Sequence, residues 1–416
     1  MTGPGPREAQ VTVVGGGAVG AAVTYLLARE GWSDVQLLER GDLCAATSSQ
    51  AAGMVGQARP TADRTLLAMA AAELYRTLPA TTGYTADYRE SGALRLALSE
   101  RSHDELTQIA GTAALVGLPV DFVDHRRLRE LCPVLDDVSS VRAALWSPTC
   151  GYLQPNSLVD AYTRAARDLG ATVTTHCAVT GIDVRDGVVH GVRTEHGDVR
   201  TETVVVAAGP WSAAVVRTAG VDLPLVPVRH TYFVTEQAGW GADLPCLRIP
   251  EVQVYARGEV GRLLCGGFER NGTSLDPRAV ETSSALVATP DWDVLGSFAS
   301  GLGRFAPAVS RLGVASTFQG WPTFTPDGRF VVGPVSAVPG LVMAAGCNAH
   351  GVSGSAGLAM HLVESLRPDP SPYVRSLSPD RVVPRTWSWE DARSRAQSVY
   401  EHYYPMPEPD VVRSDP

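Results

Sequence analysis

The stretch Val11–Val55 constrains the chain more than any other. Val11-Thr12-Val13-Val14 is a β-branched apolar run of the kind that forms a strand buried on both faces. It leads directly into Gly15-Gly16-Gly17-Ala18-Val19-Gly20, a GxGxxG. Val19, Ala22, Val23, Leu26 and Leu27 then recur at helical spacing. A second apolar run, Val35–Leu38, ends in Glu39. Strand, glycine turn, helix, strand and acid in that order are what a dinucleotide-binding unit requires. Gly15 permits the tight turn off the strand, Gly17 lets a pyrophosphate approach the backbone, and Gly20 lets the helix pack close to the strand. The helix N-terminus attracts phosphate through its free N–H groups and dipole. Glu39 suits a ribose diol and disfavours a 2′-phosphate.

At 416 residues the chain is long enough for two domains. Its 44% hydrophobic and 19% charged content is that of a globular protein. The net charge of −9 offers no basic footprint for nucleic acid or an anionic membrane. Lysine is absent, so all 35 basic residues are arginine. Lysine Schiff-base chemistry, pyridoxal-phosphate attachment and a Walker-type phosphate loop are thereby excluded. The seven cysteines are scattered without a CxxC pair, so neither a zinc site nor a disulfide framework is expected. Met1–Gln10 has no apolar core like that of a signal peptide, and no run reaches membrane-span length. A cytoplasmic location is the expectation.

Along the rest of the chain, helices are expected over Arg64–Leu78, Ser102–Leu118 and Asp124–Leu131, with a strand over Gly92–Leu98. Asn156 is read as the N-cap of a helix closed by Gly170. Short strands come next at Thr172–Thr175, Gly181–Val184 and Val188–Arg193, then a buried strand at Val204–Val206 ending in Ala207-Ala208-Gly209-Pro210-Trp211. Val228–Thr235, Val252–Arg257 and Arg262–Glu269 alternate like an antiparallel sheet. Thr282–Arg304 reads as helix interrupted at Pro290. Strand Leu341–Ala345 leads into Gly346-Cys347-Asn348-Ala349-His350-Gly351-Val352-Ser353-Gly354 and a helix to about Leu366. A polar tail, Pro368–Pro416, carries a short helical stretch near Trp389–Tyr400.

Four separated segments now point one way: the opening βαβ unit, TSSQAAGMV, VVVAAGPWS, and TPDGRFVVGP with GCNAHGVSG. In this order they resemble the D-amino-acid-oxidase-like flavoenzymes, most closely the sarcosine and dimethylglycine oxidases and dehydrogenases. The tail segment Val399–Pro405 is similar to the stretch that succeeds the flavin domain in that subgroup. The resemblance implies an α/β fold in which a Rossmann-type FAD-binding domain (1–85, 148–220 and 315–367) is interleaved with an α+β substrate domain (86–147 and 221–314). The substrate domain is built on an antiparallel sheet, and a tail occupies 368–416. It implies that Gly15, Gly17 and Gly20, with Ala18 and Val19 between them, hold the pyrophosphate, and that Glu39 and Arg40 lie at the adenosine ribose. Thr47, Ser48, Ser49, Gln50, Gly53 and Met54 run past the flavin ring, and Val179 meets the adenine. Ala208, Gly209 and Trp211 lie near the cofactor. Gly320, Trp321, Asn348, His350, Gly351 and Val352 line the isoalloxazine and ribityl end.

The sequence departs from the relatives at the covalent attachment points. Where dimethylglycine-type relatives carry a flavin-linked histidine, this chain has Gln50; before TPDG, Phe318-Gln319-Gly320-Trp321 offers no thiol. Non-covalent FAD is therefore expected. His230 and Tyr255 match positions where the subgroup places active-site side chains. A flavin takes hydride from a carbon beside a nitrogen whose lone pair is free, so a histidine titrating near neutrality suits the amine proton. Arg257 is a candidate partner for a substrate carboxylate.

The expected function is FAD-dependent oxidation of a small secondary or tertiary amine or N-methyl amino acid. Hydride passes to flavin N5, and the resulting imine hydrolyses. The tail is too short for a folate domain, so a one-carbon product would leave as formaldehyde. Many oxidases of the family place a lysine by the flavin. Its absence favours an acceptor other than O2, although arginine or a protonated histidine can substitute. Two alternatives stand beside this reading: a biosynthetic oxidase of a cyclic imine or modified amino acid, and a non-catalytic flavoprotein subunit of an oligomer or complex. No metal is expected.

Overall fold

A computed structural model describes residues 8–280, 289–383 and 386–403. Two sheets carry it. In the first, Val11–Val14 lies between Val35–Leu38 and Thr203–Val206, all parallel and in register (Val13 opposite Leu37 and Val205). Thr172–Thr174 extends one side, Leu341–Ala345 the other, and Val331–Pro334 closes the edge antiparallel. The central strands are buried at nearly every position, which is why they read as unbroken apolar runs rather than alternating ones.

One face of this sheet is covered by helices. Ala18–Arg29 sits in the middle, against Pro155–Asp168 and Ser355–Ser365, with Ala62–Thr82 beyond. Only Arg29 is not buried in that first helix, because it packs on the sheet and on helices at both sides. Tyr25 stacks on Tyr162 with centroids 5.9 Å apart. Tyr75 donates to the carbonyl oxygen of Val352 at 3.0 Å, tying the long helix to the cavity loop described below. The other face is covered by an antiparallel meander, Val179–Arg185, Val188–Thr194 and Val199–Arg200, and by the helix Ser212–Arg217.

The second sheet has eight strands, and its edges are Val314–Gly320 and Asp121–Phe122. It is antiparallel except where Cys246–Ile249 runs parallel to Ala93–Ala97. Its edge strand Val314–Gly320 pairs with His230–Thr235, so it crosses the boundary expected at 315. The helix Trp292–Gly303 packs on the outer face, with Phe298 and Leu302 buried; of the stretch expected from Thr282 onward, residues 282–288 lie outside the described residues. The Asn156 N-cap reading is corrected: the helix starts two residues earlier, with Pro155 at its first turn and Gln154 as cap. The tail contributes a helix, Trp389–Glu401, whose Ala392, Ala396 and Tyr400 are buried against the strands Val226–Pro227 and Thr323–Phe324. Tyr404 and Pro405 lie outside the described residues.

The contact between Gly20 and Gly15 sets how closely the first helix approaches its strand. A Cβ on Gly20 would stand 1.9 Å from the Gly15 carbonyl oxygen. Gly20→Ala must push helix and strand apart and is expected to destabilise the protein by about 1–3 kcal/mol. A lowered midpoint in urea unfolding checks this, and an unchanged midpoint would show that the contact is slack.

Candidate functional site

A cavity of about 630 Å³ runs from the C-terminal ends of the parallel strands to the inner face of the eight-stranded sheet. One end of it is the glycine turn. Gly15, at φ +113°, takes a conformation that side chains disfavour, and a Cβ there would meet the Ala207 carbonyl oxygen at 2.6 Å. Gly17 faces open space apart from the Ser48 hydroxyl, 3.0 Å from where its Cβ would be. The same hydroxyl accepts from the Ala18 N–H at 3.0 Å. Glu39 accepts from the backbone N–H groups of Gly16 at 2.6 Å and Gly41 at 2.9 Å. This fixes the carboxylate at the strand end while leaving lone pairs on both oxygens.

Most of the residues singled out above stand on the cavity wall. Gly15, Gly17, Ala18, Val19, Glu39, Arg40, Thr47, Ser48, Gln50, Gly53, Met54, Val179, Ala208, Gly209, Trp211, Gly320, Trp321, Gly351 and Val352 line it, as do His230 and Tyr255. The guanidinium of Arg40 lies 3.7 Å over the Trp211 ring at the end near Val179. Trp321 is 4% exposed, and its indole N–H is buried without a hydrogen-bond partner among the described residues. An orphaned donor on a wall whose other end is a phosphate cradle suits a polar, elongated ligand such as FAD.

Other residues stand elsewhere. Gly20 serves the helix contact and does not face the cavity. The Ser49 hydroxyl turns back to the Ala46 carbonyl at 2.9 Å. Asn348 is 4% exposed and braces the left-handed turn around it: its Oδ1 accepts from the Thr325 N–H at 3.0 Å and its amide donates to the Gly346 carbonyl at 2.8 Å. His350 also points away from the main cavity. Its Nδ1 lies 2.7 Å from the Asn348 carbonyl and its Nε2 3.3 Å from the Tyr403 hydroxyl. Burial holds this imidazole well below its usual range, with Arg59 and Arg64 nearby acting in the same direction. Arg257 is 3% exposed and already engaged. It donates to the Ala52 carbonyl at 2.6 Å, pairs with Glu259 at 2.5 Å and lies over the Tyr152 ring.

At the sheet end of the cavity the lining arginine is Arg248, as Arg40 is at the other end. Strand register sets the place of Arg248. Phe318, Tyr232, Gly266, Tyr255, Arg248 and Arg95 stand opposite one another in a single row across the sheet. Residues in one row share a face. Gly266 must be glycine for this row to close, since a Cβ there would come within 2.5 Å of the Tyr255 hydroxyl. His230 sits at the end of its strand, on the same face as Tyr232. Its Nε2 is 2.9 Å from the Tyr255 hydroxyl. Phe268, Gln319, Cys347 and Tyr403 complete this end.

Burial, with no other cause, lowers the His230 imidazole from 6.5 to about 4. This differs from the sequence-based picture of a histidine titrating near neutrality: burial favours the neutral ring at physiological pH, with Nε2 at hydrogen-bond distance from Tyr255. Burial likewise pushes the Cys347 thiol up to about 12, so it is no thiolate nucleophile.

Comparison with known proteins places the chain. It matches the family described as FAD dependent oxidoreductase over residues 10–365 and belongs to that family. It is 31% identical over 362 residues to 4-methylaminobutanoate oxidase (formaldehyde-forming) of Paenarthrobacter nicotinovorans, covering 87% of this chain and 44% of that one. It is 30% identical over 418 residues to mitochondrial sarcosine dehydrogenase of Mus musculus, covering 98% of this chain and 45% of the relative. The chain thus spans about half the length of these curated relatives. Among solved structures, L-proline dehydrogenase from P. horikoshii superposes with a TM-score of 0.82 at 22% identity, over 90% of this chain and 98% of that one, which shows the shared fold. No helix of the described residues is long and apolar enough to cross a membrane, and no group of histidine, cysteine, aspartate and glutamate among them is arranged to hold a metal.

Two measurements test the site. Acid precipitation of the FAD-loaded protein should leave the yellow colour in the supernatant, because Gln50 and Gln319 offer no nucleophile and Cys347 is held as a thiol; colour in the pellet would show a covalent link. The second concerns pH. An unfolded His230 takes up its proton near 6.5, whereas the folded one resists until about 4. The unfolded state therefore binds more protons between those values, and stability falls as pH drops through them. His350 acts in the same direction. The denaturation midpoint should fall from pH 6.5 to pH 4, with a shallower slope in His230→Asn. A wild-type slope unchanged by that substitution would contradict the assignment.

Proposed function

We propose that the protein oxidises a small secondary or tertiary amine that bears a carboxylate, of the N-methyl amino acid class. The observation that carries this reading is the row Tyr255–Arg248 with His230 beside it, on the cavity wall of a chain that belongs to an FAD-dependent family. Arg248 supplies a fixed positive charge to orient a carboxylate. Tyr255 and the neutral His230 supply hydrogen-bonding groups to the nitrogen. Phe268, Met54 and Tyr403 supply apolar and aromatic walls that keep water from the reacting carbon. FAD, when bound, accepts the hydride lost by the carbon beside the nitrogen, and the iminium that remains is hydrolysed by water. The names of relatives acting on 4-methylaminobutanoate and sarcosine support the class and not the individual substrate.

The residues in named roles are Gly15, Gly17, Ala18, Val19 and Ser48 at the diphosphate and Glu39 at the ribose. Arg40, Trp211 and Val179 stand at the adenine, and Thr47, Gln50, Gly320 and Trp321 at the ring. Arg248, His230 and Tyr255 stand at the substrate.

Anaerobic titration tests the proposal. N-methylglycine, N,N-dimethylglycine, 4-methylaminobutanoate and L-proline are added in turn while the flavin band near ~450 nm is followed. At least one should bleach it, and N-methylamines without a carboxylate should not. In Arg248→Met the concentration giving half-reduction should rise about 10- to 100-fold, the loss of one charged hydrogen bond, with a smaller change in limiting rate. Equal bleaching by a carboxylate-free amine, or an Arg248→Met titration identical to wild type, would refute the carboxylate assignment.

A further inference from the structure

The hydrogen bond between His230 and Tyr255 is one segment of a longer buried chain. The Nδ1 of His230 faces the Tyr400 hydroxyl at 3.4 Å, and that hydroxyl donates to Oε2 of Glu269. Tyr400 is fully buried and Glu269 is 8% exposed. Oε1 of Glu269 has no hydrogen-bond partner among the described residues and lies 3.8 Å from Arg229. Arg229 in turn pairs at 2.6 Å with Asp291, the N-cap of the helix Trp292–Gly303, which reaches solvent. The groups facing Glu269 among the described residues are thus Tyr400, Arg229 and Asp291. Burial raises its carboxyl above the usual range, while Tyr400 and Arg229 pull it down.

Each member has one proton to place on this line, so the state of Glu269 sets the direction of every bond. With Glu269 ionised, Tyr400 donates to it, His230 donates from Nδ1 to Tyr400, and Tyr255 donates to Nε2. The Tyr255 oxygen is then an acceptor at the cavity wall. With Glu269 protonated the whole line reverses, and Tyr255 becomes a donor.

We propose that Tyr400 and Glu269 extend the His230–Tyr255 pair into a proton path that draws the proton off the bound ammonium and stores it on Glu269. The N–H bond of the ammonium breaks and its proton passes to the Tyr255 oxygen. The Tyr255 proton passes to Nε2 of His230, the Nδ1 proton to Tyr400, and the Tyr400 proton to Glu269. The products are a neutral amine and a neutral carboxylic acid, and no electrons move. The nitrogen lone pair is thereby freed before hydride leaves the carbon. The inference rests on the amine reading above, and it makes Tyr400 and Glu269 positioning residues that act through His230.

The test is the pH dependence of the limiting rate of anaerobic flavin reduction, using whichever of the four amines above bleaches the wild type. Glu269→Gln and Tyr400→Phe should each shift the profile to higher pH, lowering the rate at pH 7 about tenfold or more. The plateau at alkaline pH, where the free amine binds already deprotonated, should stay within about twofold. Glu269→Asp should restore part of the rate at pH 7. Profiles that superimpose on wild type, or that drop equally at every pH, would overturn the path, since a purely structural role lowers both limbs alike. Should Glu269→Gln fail to hold FAD, Tyr400→Phe, which removes one oxygen and keeps the ring, decides the question by the same criterion. A wild type reduced by none of the amines at any pH would overturn the amine reading and the path with it.

Discussion

The site depends on how closely the helix Ala18–Arg29 can approach the strand Val11–Val14. Gly15 and Gly20 meet at a distance that admits no side chain. This contact turns the helix N-terminus toward the cavity and lets Gly17 present bare backbone there. The rest of the first sheet is built outward from it. Parallel strands buried on both faces need covering layers, and the helices Pro155–Asp168 and Ser355–Ser365 on one side and the Val179–Arg200 meander on the other supply them. The strand ends then open onto one edge, where Glu39, Ala208 and the turn around Asn348 gather. Ligands of open α/β sheets bind at such carboxyl ends.

The second sheet brings its side chains to the cavity through register. A single row across it sets Tyr255 beside Arg248, and the absence of a side chain at Gly266 gives the tyrosine its room. His230 reaches the same place from the end of a neighbouring strand. Burial keeps its ring neutral. The C-terminal helix closes this end by inserting Tyr400 and leading to Tyr403.

Much of this was legible in the sequence, for physical reasons. The strand–glycine–helix–strand–acid order is local, so Gly15 to Glu39 could be read without tertiary information. His230 and Tyr255 came from resemblance, and the structure sets them 2.9 Å apart. Arg257 was singled out, whereas the arginine on this end of the cavity wall is Arg248. Alternation puts Arg257 and Tyr255 on one face, but it cannot reveal that Tyr152 and the Ala52 carbonyl intercept the Arg257 guanidinium. Nor can it reveal that Cys246–Ile249 pairs with both Val254–Glu259 and the distant Ala93–Ala97, which is what fixes Arg248 opposite Tyr255. His350 and Asn348 stand off the cavity wall for a different reason: a glycine-rich stretch marks a backbone turn, and their side chains brace that turn from behind. Glu269 gave no signal at all, because a buried carboxylate becomes informative only once its partners, here from residues 229, 291 and 400, are known.

Flavin and acidic amine are held here to share one cavity, with the substrate's charge met by the sheet and not by the dinucleotide unit. A crystal structure of the FAD-loaded protein with N,N,N-trimethylglycine, which has no nitrogen lone pair to release and so is not oxidised, tests that directly. The diphosphate should lie along Gly15–Val19, and the ligand carboxylate should be hydrogen-bonded to Arg248 with its nitrogen toward Tyr255. A carboxylate bound at Arg257 or Arg40 instead, or a diphosphate away from the glycine turn, would contradict it.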